Sequence, residues 1–371
     1  MSFELRKLED VCDILDHIRI PITSRDRKEG PYPYYGANGI QDYIDDYIFD
    51  DDLVLLAEDG GNFGSKEKPI AYRISGKTWV NNHAHVLKPK NIIDVDYLCY
   101  SLMHYDVSGL VNGATRQKLT QSEMRKINIR YRSLEKQRQI VFKIKLISNI
   151  ISSRKHQLCN LDLLVKSRFV EMFGDPISNT KMWPVDKVEA VCSNIYGGGT
   201  PSKSKEEYWN GDIPWISSKD MKSDMISDSQ IRITNLGLDN SSAKLVPMNS
   251  VIMVIRSGIL KHTLPVAINT VPVTVNQDLK VFIPGSSIHY RFLAFLFKML
   301  EKDILAGVRA VTADNIEFDT LKNRKIILPP VQFQNQFADF VEQVDKSKLA
   351  IQQSLDELET LKKSLMQQYF G

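Results

Sequence analysis

The chain has 371 residues, 43% of them hydrophobic and 25% charged, with a net charge of +3. That length accommodates two or three domains of ordinary globular composition. So small a cationic excess excludes a uniformly basic coat, and any basic surface must be local. Cys12, Cys99, Cys159 and Cys192 lack a Cys-x-x-Cys spacing, and Cys12 and Cys192 are a repeat pair, so they read as small buried residues rather than a disulfide framework. No apolar run approaches the ~18 residues needed to span a bilayer, and the start MSFELRKLED has no signal-peptide profile. A cytoplasmic protein with no membrane partner is the expectation.

Residues 1–133 form a first block of short β-rich runs, Tyr47–Ala57, Ile70–Ile74 and Thr78–Leu87, punctuated by Gly, Pro, Asn and Asp. One helix is predicted near Val95–Tyr105. His83 and His85 share a strand face, a weakly metal-like pattern; with no third ligand in view, a polar wall of the sheet is the better reading. The acidic stretch Asp45, Asp46, Asp50, Asp51 and Asp52 lacks the glycine-centred spacing of a calcium loop and reads as a solvated turn.

From Leu134 to Gly174 there is no proline, and the only glycine is the last residue. Ile140, Ile144, Ile147, Ile151, Leu158, Leu161, Val165 and Met172 recur at alternating steps of four and three, broken by Arg154 and Arg168. So narrow a stripe suits a helix packed along one partner helix rather than on a broad core. At 1.5 Å per residue it would run roughly 55–60 Å.

Residues 175–330 repeat the first block. Lys7–Cys12 matches Lys187–Cys192 at an offset of 180, Gly30–Tyr34 matches Gly211–Trp215 at 181, and Val80–Asn82 matches Val275–Gln277 at 195. Leu53–Leu56 with Gly60 matches Val251–Val254 with Gly258 at 198, and Thr115 matches Thr312 at 197. The drift implies an insertion of about 17 residues in the second copy. Strands are expected at Ser250–Ile255, Pro265–Ile268 and Val271–Ile283, and a helix at Tyr290–Leu305. Each block should be α+β with a twisted, mostly antiparallel sheet.

A second long helix, 331–371, repeats the first at an offset of 197: Phe337, Val341, Val344, Ile351, Leu355, Leu358, Leu365 and Tyr369 form its stripe, and Gln137 returns as Gln334. The second block joins the end of one helix to the start of the other, so the expectation is an antiparallel pair on a quasi-twofold axis with a block at each end.

Catalytic constellations are scarce. There is no Gly-x-x-x-x-Gly-Lys-Ser/Thr phosphate cradle, and Gly197-Gly198-Gly199-Thr200-Pro201 lacks its lysine. Pro329-Pro330 lacks the flanking polar and aromatic residues that clamp a flipped base. Glu58, Asp59 and Lys66 suggest a nuclease metal site only until Glu58 and Asp59 are aligned with Arg256 and Ser257. The expectation is a non-catalytic chain with no cofactor or metal of its own.

What remains suits reading a polymer. In the first block, candidate loops carry Arg25, Arg27 and Lys28, then Tyr34 and Asn38, then Asn82 and His83, then Arg116 and Lys118. In the second, they carry Thr200, Ser202, Lys203 and Lys205, then Trp215 and Lys219, then Arg256, Lys261 and His262, then Arg309 and Asn315. Arg and Lys pair with guanine or neutralise phosphate, Asn and Gln pair with adenine, and aromatics support the loops. The architecture repeats while the loop residues differ, as expected if each copy reads a different sequence.

These residues resemble the DNA-specificity subunit of type I restriction–modification systems over the whole chain. Tyr34–Ile40, Asn81–Leu87, Gly113-Ala114-Thr115 followed by Leu119–Ser122, Gly198–Ser202, Tyr208-Trp209, Ile213-Pro214-Trp215 and Leu328-Pro329-Pro330 carry the likeness. The resemblance implies two target-recognition domains, each reading half of a split site in double-stranded DNA, with the helices as a ruler of roughly 16–18 base pairs. It implies two methyltransferase subunits using S-adenosylmethionine, and restriction–translocase subunits using ATP and Mg²⁺. Tyr131-Arg132-Ser133 stands where the family has Leu-Pro-Pro, so the entry to the first helix is expected to be less rigid than that at Pro329-Pro330. The alternative, from a different class, is a scaffold or adaptor with two ligand-binding domains on a coiled-coil spacer. A self-contained restriction or methylation enzyme is disfavoured by the missing motifs.

Overall fold

The computed structural model describes residues 3–65, 68–113, 117–307, 309–310 and 314–371. Thr115, Arg116, Lys66 and Thr312 lie outside the described residues, and Arg309 is described by its backbone alone. The fold is α+β, as expected. Both long helices form, Leu134–Phe173 and Val331–Phe370. Gly174 ends the first with φ +76°, a conformation in which glycine avoids the Cβ clash.

The chain divides into two compact units, one of residues 1–157 with 351–371 and the other of 158–350. These are not the two sequence repeats. Each unit takes one block, part of the helix that follows it, and part of the other helix, because the helices run antiparallel. In the first unit Ile140 and Ile144 share a core with Leu365 and Tyr369, and Lys155 Nζ meets Glu359 2.8 Å away. In the second, Val165 and Phe169 pack with Phe337 and Val344, and Lys348 pairs with Asp162.

The narrow stripe holds only for the middle of each helix. Val141, Phe169 and Phe173, all off the predicted seam, are buried. Phe169 stacks on Phe292 of the second block at 5.8 Å, and Phe173 meets the same ring edge-on at 4.9 Å. The helix ends therefore lie on a block as well as on a partner helix, which widens the face they must bury.

Each block holds two main sheets rather than one. In the first, Cys12–Ile14, Ala84–Pro89, Leu53–Ala57 and Ala71–Ile74 form an antiparallel sheet in that spatial order. Gly39–Ile44, Glu29–Gly36, Lys77–Val80 and Phe49–Asp50 form the other, with Glu29–Gly36 parallel to Lys77–Val80. Leu53–Ala57 is buried throughout: Val54 and Leu56 enter the core shared with the helices, and Leu53 and Leu55 enter a smaller one behind. Alternating side chains on a strand require that split.

The second block repeats this with Cys192–Gly197, Leu279–Pro284, Val251–Val254, Val266–Asn269 and Met225–Ile226 as a five-stranded sheet. Its smaller sheet holds Arg232–Ile233, Trp209–Ile216 and Thr274–Val275. Met225–Ile226 and the helix Asn235–Asp239 occupy the longer stretch between Ile216 and Val251, where the insertion was expected. The helix predicted at Tyr290–Leu305 is broken into Tyr290–Met299 and Glu301–Leu305.

Strand register corrects one alignment. Leu56 pairs with His85 and Met253 with Lys280, so the offset along this strand is 197, not 198. Glu58 therefore corresponds to Ile255 and Asp59 to Arg256. The entries to the two long helices share one hydrogen bond. The Arg132 carbonyl accepts from Gln137 at 2.7 Å just as the Pro329 carbonyl accepts from Gln334, and the Arg132 guanidinium donates to the Tyr369 carbonyl at 3.1 Å. A buried arginine anchors what a proline pair stiffens elsewhere.

Candidate nucleic-acid interface

Three loops meet at one end of the main sheet in each block, held by the same backbone bonds. In the first block, Glu58 and Asp59 follow the strand Leu53–Ala57, and their amides donate to the His83 carbonyl at 2.9 and 3.4 Å. The Leu119 amide donates to the Glu58 carbonyl at 2.7 Å, and Asp59 bridges to Lys118. In the second block, the Ile255 and Arg256 amides donate to the Asp278 carbonyl at 2.9 and 3.3 Å. The Ile316 amide donates to the Ile255 carbonyl at 2.8 Å, and Arg256 bridges to Asn315. The platform is one design built twice.

The side chains on it differ in kind. His83 Nδ1 lies 2.6 Å from Asp59 Oδ1 in the first block. At the equivalent positions of the second, Arg256 Nε donates to Asp278 Oδ1 at 2.7 Å, a pair of reversed polarity. Asn38 adds an amide to the first platform, donating to the Gly60 carbonyl at 2.9 Å, and Thr200 adds a hydroxyl to the second, donating to Gln277. Asn82, Lys118, Lys261, His262 and Asn315 are exposed around these pairs.

The other candidates sit on the preceding loops. Arg25 and Lys28 are exposed, whereas Arg27 is half-buried, over the Tyr34 ring at 4.2 Å and 3.2 Å from Asp42. Ser202, Lys203, Lys205 and Lys219 are exposed. Tyr34 and Trp215, placed among the reading residues by sequence, lie underneath. Tyr34 is 1% exposed and its hydroxyl accepts from the Ile22 amide at 3.0 Å; Trp215 is 7% exposed and its indole donates to the Gly199 carbonyl at 2.9 Å. They are equivalent positions in the repeat, and each pegs its loop to the sheet.

Beneath the first platform lies a charged cluster that sequence reasoning missed. His85 is fully buried, with Nδ1 2.7 Å from Asp16 Oδ2 and Nε2 2.9 Å from the Leu119 carbonyl. Arg19 reaches Glu58 at 2.6 Å and Asp16 at 3.5 Å, and Lys118 reaches Glu58 at 3.0 Å. Burial alone would raise the Asp16 carboxyl. The His85 hydrogen bond and charge, the Val86 amide and Arg19 together hold it below the usual aspartate range. Asp16, Glu58 and His85 are close enough to share an ion. Both His85 nitrogens already face oxygens, however, and Arg19 and Lys118 neutralise the carboxylates, so the cluster is a structural strut. Asp16 is 69 residues from His85, and no local motif links them.

A family model described as the type I restriction modification DNA specificity domain matches residues 2–160 and 181–360. The chain belongs to that family: it is a DNA specificity subunit of the type I restriction–modification class. It is 36% identical over 198 residues to the Escherichia coli type I restriction enzyme EcoR124I/EcoR124II specificity subunit, covering 52% of this chain and 49% of that one. It thus spans about half the length of that relative. It is 26% identical over 366 residues to a putative type I restriction enzyme specificity subunit of Haemophilus influenzae, covering 95% and 90%. The fold matches the type I S subunit structure from M. genitalium with TM-score 0.64 at 13% identity, covering 100% of this chain and 96% of that one. Among the described residues no helix is long and apolar enough to cross a membrane.

Proposed function

We propose that each block reads one half of a bipartite duplex DNA site through its three-loop platform, with residues 1–133 and 175–330 as the two reading domains and 134–174 and 331–371 as spacer helices. The carrying observation is that identical backbone bonds present His83 with Asp59 in one block and Asp278 with Arg256 in the other. A frame kept while its side chains change charge is what two different half-sites require. Arg25, Arg27, Lys28, Asn38, Asn82, His83, Arg116 and Lys118 serve one half-site. Thr200, Ser202, Lys203, Lys205, Lys219, Arg256, Lys261, His262, Arg309 and Asn315 serve the other. Tyr34 and Trp215 position loops without touching bases.

The long helices offer exposed apolar side chains, Phe142, Leu146 and Ile150 on the first among them, at helical spacing on one face. A methyltransferase subunit seated there would bring S-adenosylmethionine, and restriction–translocase subunits would bring ATP and Mg²⁺. The chain itself supplies specificity, and its work on DNA places it in the cytoplasm. Methylation sequencing of DNA from cells expressing this chain with its methyltransferase tests the reading. A bipartite adenine-methylated motif with a fixed gap is expected, and exchanging residues 180–330 should alter one half alone. Absence of any methylated motif, together with no DNA binding by the assembled complex, would favour an adaptor.

A further inference from the structure

The cluster beneath the first platform has a counterpart in the second block from which both carboxylates are missing. Lys280 occupies the strand position of His85. Cys192–Gly197 pairs with this strand as Cys12–Ile14 pairs with its own, and that register sets Gly197 beside Lys280 where Asp16 stands beside His85. Glu58 becomes Ile255, and Gln121, which donates to Asp16 in the first block, becomes Phe318.

Lys280 is consequently a half-buried ammonium with no carboxylate partner among the described residues. Its Nζ lies 4.4 Å from the centroid of Phe318, and Lys322 Nζ lies 5.0 Å from the same ring. Lys322 is paired with Asp319 at 2.7 Å, and the nearby Asp278 is taken by Arg256 at 2.6 Å. Burial, then Lys322, then Arg256 depress the basicity of Lys280, as expected of a cation short of counter-charge. Gly197 makes the room: a Cβ there would stand 2.6 Å from the Lys280 ammonium.

We infer that Lys280 is an anion site of the second block, taking a phosphate oxygen of the DNA backbone, and that the first block has no equivalent because Asp16 and Glu58 fill that role internally. The inference rests on the DNA-reading function proposed above and adds to it a contact that fixes register rather than base identity. Lys280 pairs with Gly197, where the loop carrying Ser202, Lys203 and Lys205 begins, and stands two residues beyond Asp278, the platform carboxylate held by Arg256. An ammonium left without counter-charge in the free protein loses that penalty when a phosphate arrives.

The test measures binding of the assembled complex to a duplex carrying the site found by methylation mapping, over a series of salt concentrations. Lys280→Met should weaken binding severalfold and flatten log K against log salt by about 0.9, the value of one phosphate contact, with the methylated motif unchanged. Gly197→Ala should act in the same direction, because the atom it meets is the flexible end of Lys280 and the ammonium is displaced without disturbing the sheet. The double variant should lose no more than Lys280→Met alone. An unchanged slope and affinity in Lys280→Met, or in Gly197→Ala if the first variant does not fold, overturns the assignment while leaving the DNA reading intact. A wild-type complex that binds no duplex overturns both.

Discussion

Gln137 and Gln334, 197 positions apart, make the same three hydrogen bonds. Gln137 accepts from the Asp94 amide at 2.8 Å and donates to the Ile92 and Arg132 carbonyls at 3.1 and 2.7 Å. Gln334 accepts from the His289 amide at 2.8 Å and donates to the Ser287 and Pro329 carbonyls at 3.1 and 2.7 Å. Both are fully buried. Each ties the start of a long helix to the turn that opens its block's own helix.

Replacing either glutamine by alanine leaves one donor and two acceptors without their partner, one of the acceptors buried. Each substitution should cost roughly 2–3 kcal/mol of unfolding free energy, measured by denaturant titration. A loss below about 0.5 kcal/mol would show that the joint is not held by this side chain.

The core beneath the second block makes a larger demand. Phe169 is fully buried and lies within 5.8 Å of the rings of Phe173, Phe292, Phe295 and Phe337. Phe169→Ala should destabilise the protein by about 3–5 kcal/mol, whereas Val170→Ala, on the exposed face, should fall within about 0.5 kcal/mol. Thermal unfolding of the two variants side by side distinguishes a core side chain from a surface one.

Acid should weaken the first block through Asp16. Its carboxyl titrates below the ordinary 3.8, so the folded state binds protons less readily than the unfolded chain. The stability it contributes is complete above that ordinary value and is lost as pH falls through the lower folded one. Urea unfolding between about pH 5 and about pH 3 should show wild-type stability declining, with a shallower decline in Asp16→Asn. Parallel pH profiles would contradict the strut.

The platform pairs should separate by half-site. Arg256→Ala should cost about 1–3 kcal/mol of binding and relax one half of the methylated motif, and His83→Ala should affect only the other half. A variant that alters both halves together would show that the platforms do not read independently.

Thiol chemistry gives an inexpensive check on the cores. Cys12, Cys99 and Cys192 are buried, and burial pushes each thiol up to about 12. Cys159 alone is exposed. A thiol reagent at neutral pH should label one cysteine rapidly in the native protein and all four in denaturant. Rapid labelling of a second would mean that one of these cores opens.

The long helices, the repeat and the α+β class were legible in the sequence by itself, because helical periodicity and duplicated residues are local signals carried along the chain. The register of the repeat was less so: Glu58 aligned with Arg256 by glycine spacing, and only the pairing of Leu56 with His85 and Met253 with Lys280 moved it to Ile255. The places of Tyr34 and Trp215 below their loops, the width of the helix ends around Phe169, and the strut joining Asp16 to His85 belong to tertiary structure. Each depends on residues far apart in sequence meeting across a sheet, where burial and the need to pair every buried charge, rather than local pattern, decide the arrangement.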